Sequence, residues 1–240
     1  MIANRRVQQQ AAFILHHRPF RDSSQILDIF SRDHGKLALV ARGSRGARSR
    51  LKGVLRPFMP LSLSWIIKSD LGTLTGAENR GGPLSLSGDA LLSGYYVNEL
   101  VMHFLHRHDP QPEIFDAYTH TIESLVMAGN DIAECLRRFE IELLRQVGYA
   151  LNLDYEFATN AVLEDEKHYE YRVEQGPVAV SKSQGPLVFT GKMLASISAQ
   201  QFAQADVLRA ANRLLREVIR FHLGGKELKS RKVLLEMHRR

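Results

Sequence analysis

Between residues 11 and 77 the chain is cut into five short apolar stretches: Ala12 to His16, Gln25 to Phe30, Lys36 to Ala41, Leu61 to Ile67 and Leu71 to Ala77. Runs of this length bounded by turn residues read as strands rather than helices. Leu61-Ser62-Leu63-Ser64-Trp65 alternates strictly, as a half-buried strand does, and Asp33-His34-Gly35 supplies a hairpin turn with a position for positive φ. Five strands without a long helix between them require the sheet to curl.

A curled five-stranded sheet in about 70 residues suits a small closed barrel of the oligonucleotide-binding (OB) type, with an SH3-like barrel as the alternative. The segment Asn79 to Gly88 carries four glycines or prolines, and the pattern changes beyond it. Leu92, Tyr96, Leu100 and Phe104 recur every fourth residue, and Ile114, Tyr118, Ile122 and Leu125 do nearly the same, giving two amphipathic helices. Asp131 and Glu134 form a capping box for a third, with the stripe Ile132, Leu136, Phe139, Leu143 and Val147 ending at Gly148. From Tyr155 to Thr190 the periodicity weakens, with turns at Gly176-Pro177 and Gly185-Pro186, so a small irregular or β-containing insertion is expected over about 155–190. A longer helix from Asp206 to His222 stops at Gly224-Gly225, and a last short one follows from Ser230. The expected organisation is α+β and multidomain: a barrel over residues 1–80, then a mainly helical domain over 81–240 with basic C-terminal helices over about 206–240.

Charge is segregated along this frame. Lys and Arg outnumber Asp and Glu 14 to 5 over residues 1–80, are outnumbered 7 to 17 over 81–190, and lead 11 to 4 over 191–240. A net charge of +6 gathered at the two ends resembles the footprint of a polyanion-binding protein, with an acidic middle facing solvent or a basic partner. One cysteine, Cys135, excludes an internal disulfide and a cysteine-rich zinc cluster. No stretch approaches the roughly 20 apolar residues that span a bilayer, and no signal-length apolar run follows the start, as in a cytosolic protein without a membrane role.

Two basic elements stand out. Arg42, Arg45, Arg48, Arg50 and Lys52 fall within eleven residues without an acidic one, and Arg56 follows. Between two strands, with glycine and serine interspersed, they form a mobile loop whose guanidinium groups reach phosphates without a fixed register. Arg209, Arg213, Arg216 and Arg220 lie on one face of the last long helix, where only Glu217 is near enough to relieve their repulsion. Lys226, Lys229 and Arg231 extend this basic end. Trp65, in its half-buried strand, favours packing over base stacking, while Phe58 between Pro57 and Pro60 is undecided.

Catalytic patterns are weak. His103, His106 and His108 crowd a helix end with Asp109 as the one carboxylate beside them, and Glu164-Asp165-Glu166 cannot all converge on one ion. There is no phosphate-binding GxxxxGK[ST] loop, no GxSxG elbow and no dinucleotide fingerprint. No cofactor or metal is expected, and the chain reads as a nucleic-acid binder, not an enzyme. The rival is a metal-dependent nuclease, whose carboxylates would come from Asp22, Asp28, Asp33, Asp70 and Glu78. A third reading is a protein-bridging module without DNA affinity.

The whole chain resembles the RecO family of bacterial recombination mediators. Phe13-Ile-Leu-His-His-Arg-Pro19 with Leu27-Asp28 and Phe30 is similar to the family's first two barrel strands, and Gly35-Lys36, Ala41-Arg42-Gly43, Leu51-Lys52-Gly53 and Leu55-Arg56-Pro57-Phe58 to its basic loop and next strand. Tyr95-Tyr96-Val97-Asn98-Glu99-Leu100, Leu136-Arg137-Arg138-Phe139-Glu140 and Gly148-Tyr149 resemble its helical domain, and Leu223-Gly-Gly-Lys226-Glu-Leu-Lys229-Ser-Arg231 its C-terminal signature. Two departures stand beside the match. Many family members carry a four-cysteine zinc cluster where this chain has Tyr155 to Gly176, and Glu227 stands where a proline is common.

The resemblance implies an OB barrel joined to a helical domain that binds single- and double-stranded DNA and anneals complementary strands. It also implies work with RecR to load RecA onto strands coated by the single-stranded DNA-binding protein (SSB), in the pathway that includes RecF, within the cytoplasm and at the nucleoid during repair. The family takes the acidic, apolar-ended SSB tail in its helical domain. Leu136, Arg137, Arg138, Leu143 and Leu144 match that segment and would supply cations for the carboxylates and an apolar pocket for the terminal ring. A metal-free insertion is implied.

Overall fold

A computed structural model describes residues 5–82, 84–129 and 131–237; Pro83 of the glycine- and proline-rich segment lies outside them. Contacts divide the chain into two compact units, Met1–Gly129 with Leu228–Arg240, and Asn130–Glu227.

In the first unit, β1 (Arg5–Phe20), β2 (Ser24–Ser31), β3 (Gly35–Ala41), β4 (Leu61–Ile67) and β5 (Leu71–Asn79) close a barrel in the order β1-β2-β3-β5-β4. β1 pairs with both β2 and β4, and β3 runs parallel to β5 while every other pair is antiparallel. This closed five-stranded arrangement is the OB barrel expected from the strand spacing. Strict alternation along β4 delivers Leu61, Leu63 and Trp65 into a core shared with Ile14, Leu27, Ile29, Leu37 and Leu39. β1 is far longer than its apolar stretch. Its first half, including Gln8, Gln9 and Gln10, is polar, and a register shift between Val7 and Gln10, with Gln9 at φ 51°, bends the strand so that one chain segment serves two neighbours.

The barrel's outer β1–β2 face is covered by helices α1 (Gly88–Phe104) and α2 (Pro112–Met127). Phe13 and Phe30 pack edge-on or tilted against Phe115 and Tyr118, with ring centroids 4.9–6.2 Å apart. Asn98 donates to Leu15 O at 2.8 Å and accepts from Tyr118 Oη at 2.7 Å, which satisfies both buried polar groups; burial pushes the Tyr118 hydroxyl pKa upward. Arg32 grips Asp116 through two bonds, at 3.0 and 2.8 Å. Gly35, at φ +65°, lets the β2–β3 turn approach the backbone of Asp109, where a Cβ would lie 2.1 Å from the carbonyl oxygen.

α2 buries Ile114, Tyr118, Ile122 and Leu125 as their spacing predicts. α1 does not follow its stripe: Leu92, Tyr96 and Phe104 are only half-buried, and the face that packs is Ser93, Gly94, Val97, Asn98, Leu100 and Val101. Two side chains turn the helix. Phe58 occupies the space above Gly94, where a Cβ would sit 2.9 Å from its ring, and Asn98 must reach Leu15 and Tyr118. The C-terminal helix α6 (Lys229–Met237) packs on α1, its N-terminus capped by Glu99, which accepts from Lys229 N and Ser230 N at 2.9 Å each.

In the second unit, α3 (Ile132–Gln146), α4 (Gly191–Ser198) and α5 (Ala205–His222) pack beside a three-stranded sheet of β6 (His168–Arg172), β7 (Gly176–Ala179) and β8 (Val188–Thr190) in the order β7-β6-β8. Asp131 sits at the α3 N-cap but makes no capping bond with its side chain. Helix α4, capped by Thr190, has no counterpart in the apolar periodicity. Before β6 the insertion is irregular and polar-bonded: Asn152 Oδ1 accepts from Tyr155 N at 3.1 Å and Asn152 Nδ2 donates to Tyr155 O at 2.9 Å. Glu156 ties this loop to β7 by accepting from Ala179 N at 3.2 Å. Hydrogen bonds hold the region where the resemblance places cysteines. Among the described residues no helix is long and apolar enough to cross a membrane.

Candidate nucleic-acid interface

The first basic element lies on the connection from β3 to β4. Its backbone is not the mobile tether that its glycines and serines suggest. Gly43 turns at φ +65°, Ser44 is buried and donates from Oγ to Ala41 O at 2.8 Å, and Arg45 N donates to Ser23 O at 2.8 Å. Two further turns close through Gly46 N to Gly43 O and Ser49 N to Gly46 O, at 3.2 and 3.0 Å. Ser49 then caps a short 3-10 helix, Arg50–Gly53, and Leu51, Val54, Leu55 and Met59 pack into or against the barrel core. Alternating inward apolar and outward basic residues leave Arg42, Arg45, Arg48, Arg50, Lys52 and Arg56 exposed on a pinned backbone. None of these six has an acidic partner among the described residues. Unneutralised cations held close together favour a polyanion over a single carboxylate.

The Arg45 bond to Ser23 also brings the β1–β2 turn to this connection. Arg45 Nη1 donates to Arg21 O at 3.4 Å, and the Arg21 guanidinium stands exposed, 5.2 Å from the Phe20 ring centroid. Arg21 is a cation that the sequence reading missed, because it is isolated in the chain and joins the cluster only when the barrel closes. Neighbouring Arg18 is committed to Asp28 at 3.0 Å.

The second basic element, in the other unit, follows its helical spacing. α5 buries Val207, Ala210, Ala211, Leu214, Leu215, Val218 and Ile219, and the opposite face carries exposed Arg209, Arg213, Arg216 and Arg220 over about 16 Å. Glu217 pairs with Arg220, donor Nε to Oε2 at 3.0 Å; that bond first, then the charges of Arg220 and Arg216, hold its carboxyl below the usual range. Arg213 lies 5.1 Å over the buried Phe189 ring. Arg209 and Arg216 make no ion pair within 4 Å among the described residues, although the charge of Arg216 acts on Glu217. Lys226 and Lys229 are exposed and Arg231 is half-buried, with Lys226 in the second unit and the other two in the first.

The five residues expected to receive a protein tail do not form one surface. Leu143 and Leu144 are buried in the core, and Arg137, 7% exposed, donates to Asn212 Oδ1 at 2.8 Å and to Glu140. Arg137 is drawn inward because buried Glu140, one turn along α3, needs a cation. Arg138 remains exposed, bonded to Glu134 and to Gln200 at 3.3 Å and lying over Phe202, and Leu136 is half-buried. Both aromatic candidates in the barrel prove to be core: Trp65 is fully buried and meets His34 edge-on at 5.3 Å, and Phe58 is 4% exposed against Tyr95.

Among the described residues no three His, Cys, Asp or Glu side chains are grouped to hold a metal ion. Asp28, the buried carboxylate of the barrel, is paired with Arg18 and lies 3.5 Å from His16. His103 faces Glu99 at 3.9 Å, and that carboxylate already caps α6.

A closed OB barrel with an unpaired basic connection on its rim, and a second unit bearing an arginine row, define an OB-fold protein with cationic surfaces. Comparison with known proteins narrows this. Residues 5–81 match the family model for recombination protein O, N terminal, and residues 85–232 the one for its C terminal. The chain is 41% identical over 238 residues to the DNA repair protein RecO of Aromatoleum aromaticum, covering 99% of both. It is 40% identical over 235 residues to that of Dechloromonas aromatica, covering 97% of each. With the RecO of Burkholderia orbicola it shares 42% over 235 residues, 97% of this chain and 84% of that one. The chain belongs to the RecO family of DNA repair proteins.

Proposed function

We propose that this chain acts in DNA repair as a non-enzymatic recombination mediator that binds single- and double-stranded DNA through phosphates and anneals complementary strands. With RecR it helps to load RecA onto SSB-coated strands, in the cytoplasm and with a functional link to RecF. The observation that carries this reading is the row Arg42, Arg45, Arg48, Arg50, Lys52 and Arg56, exposed, without acidic partners and held on the rim of an OB barrel. Annealing follows from such a surface: two polyanions lying on one positive track are screened from each other, and base pairing supplies the driving force. No cofactor is used. The guanidinium groups project from turns and helix faces, which favours phosphate contact and weak sequence preference.

The arginines of α5 and Lys226 in the second unit, and Lys229 and Arg231 in the first, are further candidates for phosphate contact within their own units. Contact with the SSB tail falls to Arg138 and Leu136, because Arg137, Leu143 and Leu144 serve the interior. A salt series tests the reading. Wild type and a variant with Arg42, Arg45, Arg48 and Arg50 all changed to alanine are titrated with labelled single-stranded DNA. Each lost phosphate contact is expected to lower the slope of log K against log salt by roughly 0.7. An unchanged slope would remove the loop from the interface, and magnesium-dependent cleavage of the DNA abolished by Asp28→Ala would favour the nuclease instead.

A further inference from the structure

The connection between β1 and β2 is short, running from Arg21 to Ser23 between the paired strand ends Phe20 and Ser24. Arg21 stands at φ +55°, in the left-handed region. That conformation crowds a Cβ against the backbone, so tight turns ordinarily place glycine or asparagine there. Nothing in the interior calls for an arginine at this position, because its side chain is exposed, with the guanidinium 5.2 Å from the Phe20 ring centroid. Three bonds tie the turn to the β3–β4 connection. Arg45 N donates to Ser23 O at 2.8 Å, Gly43 N to Ser24 Oγ at 3.4 Å, and Arg45 Nη1 to Arg21 O at 3.4 Å. The last of these sets the Arg45 guanidinium against the backbone that carries Arg21, so two cations far apart in the chain meet on one edge of the barrel. Asp22, also exposed, is the one acidic residue on either segment, and neither Arg21 nor Asp22 makes an ion pair within 4 Å among the described residues.

We infer that Arg21 is a phosphate-contact residue of the barrel's nucleic-acid interface, presented by the β1–β2 turn beside Arg45 so that the strand's backbone is held from two turns. A strained backbone under an exposed side chain that packs nothing inside is accounted for by what that side chain does outside the fold. Two neighbouring guanidinium groups repel, and a phosphodiester strand, which offers several anionic oxygens, relieves that repulsion while accepting hydrogen bonds from both. Arg45 therefore has a second part as a positioning residue, since its bonds to Arg21 O and Ser23 O hold the turn at the edge of the arginine row. This inference rests on the DNA-binding reading above and adds to that interface a contact from a different element of the barrel.

The test titrates labelled oligothymidine by fluorescence anisotropy over a series of salt concentrations, with wild type, Arg21→Asn, Arg21→Lys and Lys68→Asn. The last removes an exposed cation from the connection between β4 and β5 and lowers the net charge equally. Arg21→Asn is expected to bind about two- to five-fold more weakly, with the slope of log K against log salt lower by roughly 0.7. Its thermal unfolding is expected at or above the wild-type midpoint, because asparagine tolerates the left-handed conformation; loss of a residue needed for the fold would lower that midpoint. Arg21→Lys should keep the wild-type slope, and Lys68→Asn both slope and affinity. A wild-type slope for folded Arg21→Asn would overturn the assignment, as would equal losses for Arg21→Asn and Lys68→Asn. A wild type that does not bind oligothymidine would instead overturn the DNA-binding reading on which the assignment rests.

Discussion

Adjacent arginines on α3 separate two roles by a rotation of one residue. Arg137 points inward to Glu140 and Asn212, whereas Arg138 points outward to Glu134 and Gln200. Changing Arg137 to alanine leaves the Glu140 carboxylate buried without its guanidinium, and chemical denaturation is expected to show a loss of about 3–5 kcal/mol. Arg138→Ala should leave stability within about 0.5 kcal/mol of wild type while weakening binding of the SSB tail peptide. Residue identity showed both cations, but not which would be buried. A helical face is set by the whole packing environment, and the stripe Leu136, Phe139 and Leu143 does not register that Glu140 is also inside. Likewise the loop arginines were legible as a run, while Arg21, supplied by a turn more than twenty residues earlier, was not.

Among the elements, β2 to β5 and α2 follow from their patterns because most of the residues they bury are apolar, with Asp28, Ser31 and Thr121 among the exceptions. β1, α1 and α4 were less legible for different reasons. The polar first half of β1 is a strand because it closes the barrel, α1 packs through Gly94 and Asn98, and α4 is a single short span started by a Thr190 cap. The last helix depends on one side chain from elsewhere. Glu99 caps α6 through the amides of Lys229 and Ser230 and through the Ser230 hydroxyl at 2.6 Å. Glu99→Ala is expected to cost about 0.5–2 kcal/mol and to speed amide hydrogen exchange across Lys229–Met237 selectively. Uniform protection of α6 in the variant would show that packing on α1 alone holds it. The insertion makes the same point: Asn152 and Glu156 occupy backbone donors that an apolar count does not register.

Over the whole molecule, the segregation of charge into basic ends and an acidic middle has a structural counterpart. The basic ends supply the rim of the barrel, the outer face of α5 and the start of α6, while many acids of the middle are spent on local partners. Glu140 pairs with Arg137, Glu134 with Arg138 and Glu142 with Arg145 within α3, while Asp116 takes Arg32 from the basic N-terminal end. The exposed cations of the β3–β4 connection, which make no ion pair among the described residues, are what the mediator reading requires. Its most direct test is strand annealing without ATP, using complementary oligonucleotides bare or coated with the cognate SSB. Wild type should anneal both substrates, and the variant lacking Arg42, Arg45, Arg48 and Arg50 should anneal far more slowly with a shallower salt dependence. Failure of the wild type to anneal either substrate would contradict the account and leave the basic surfaces to acidic protein partners.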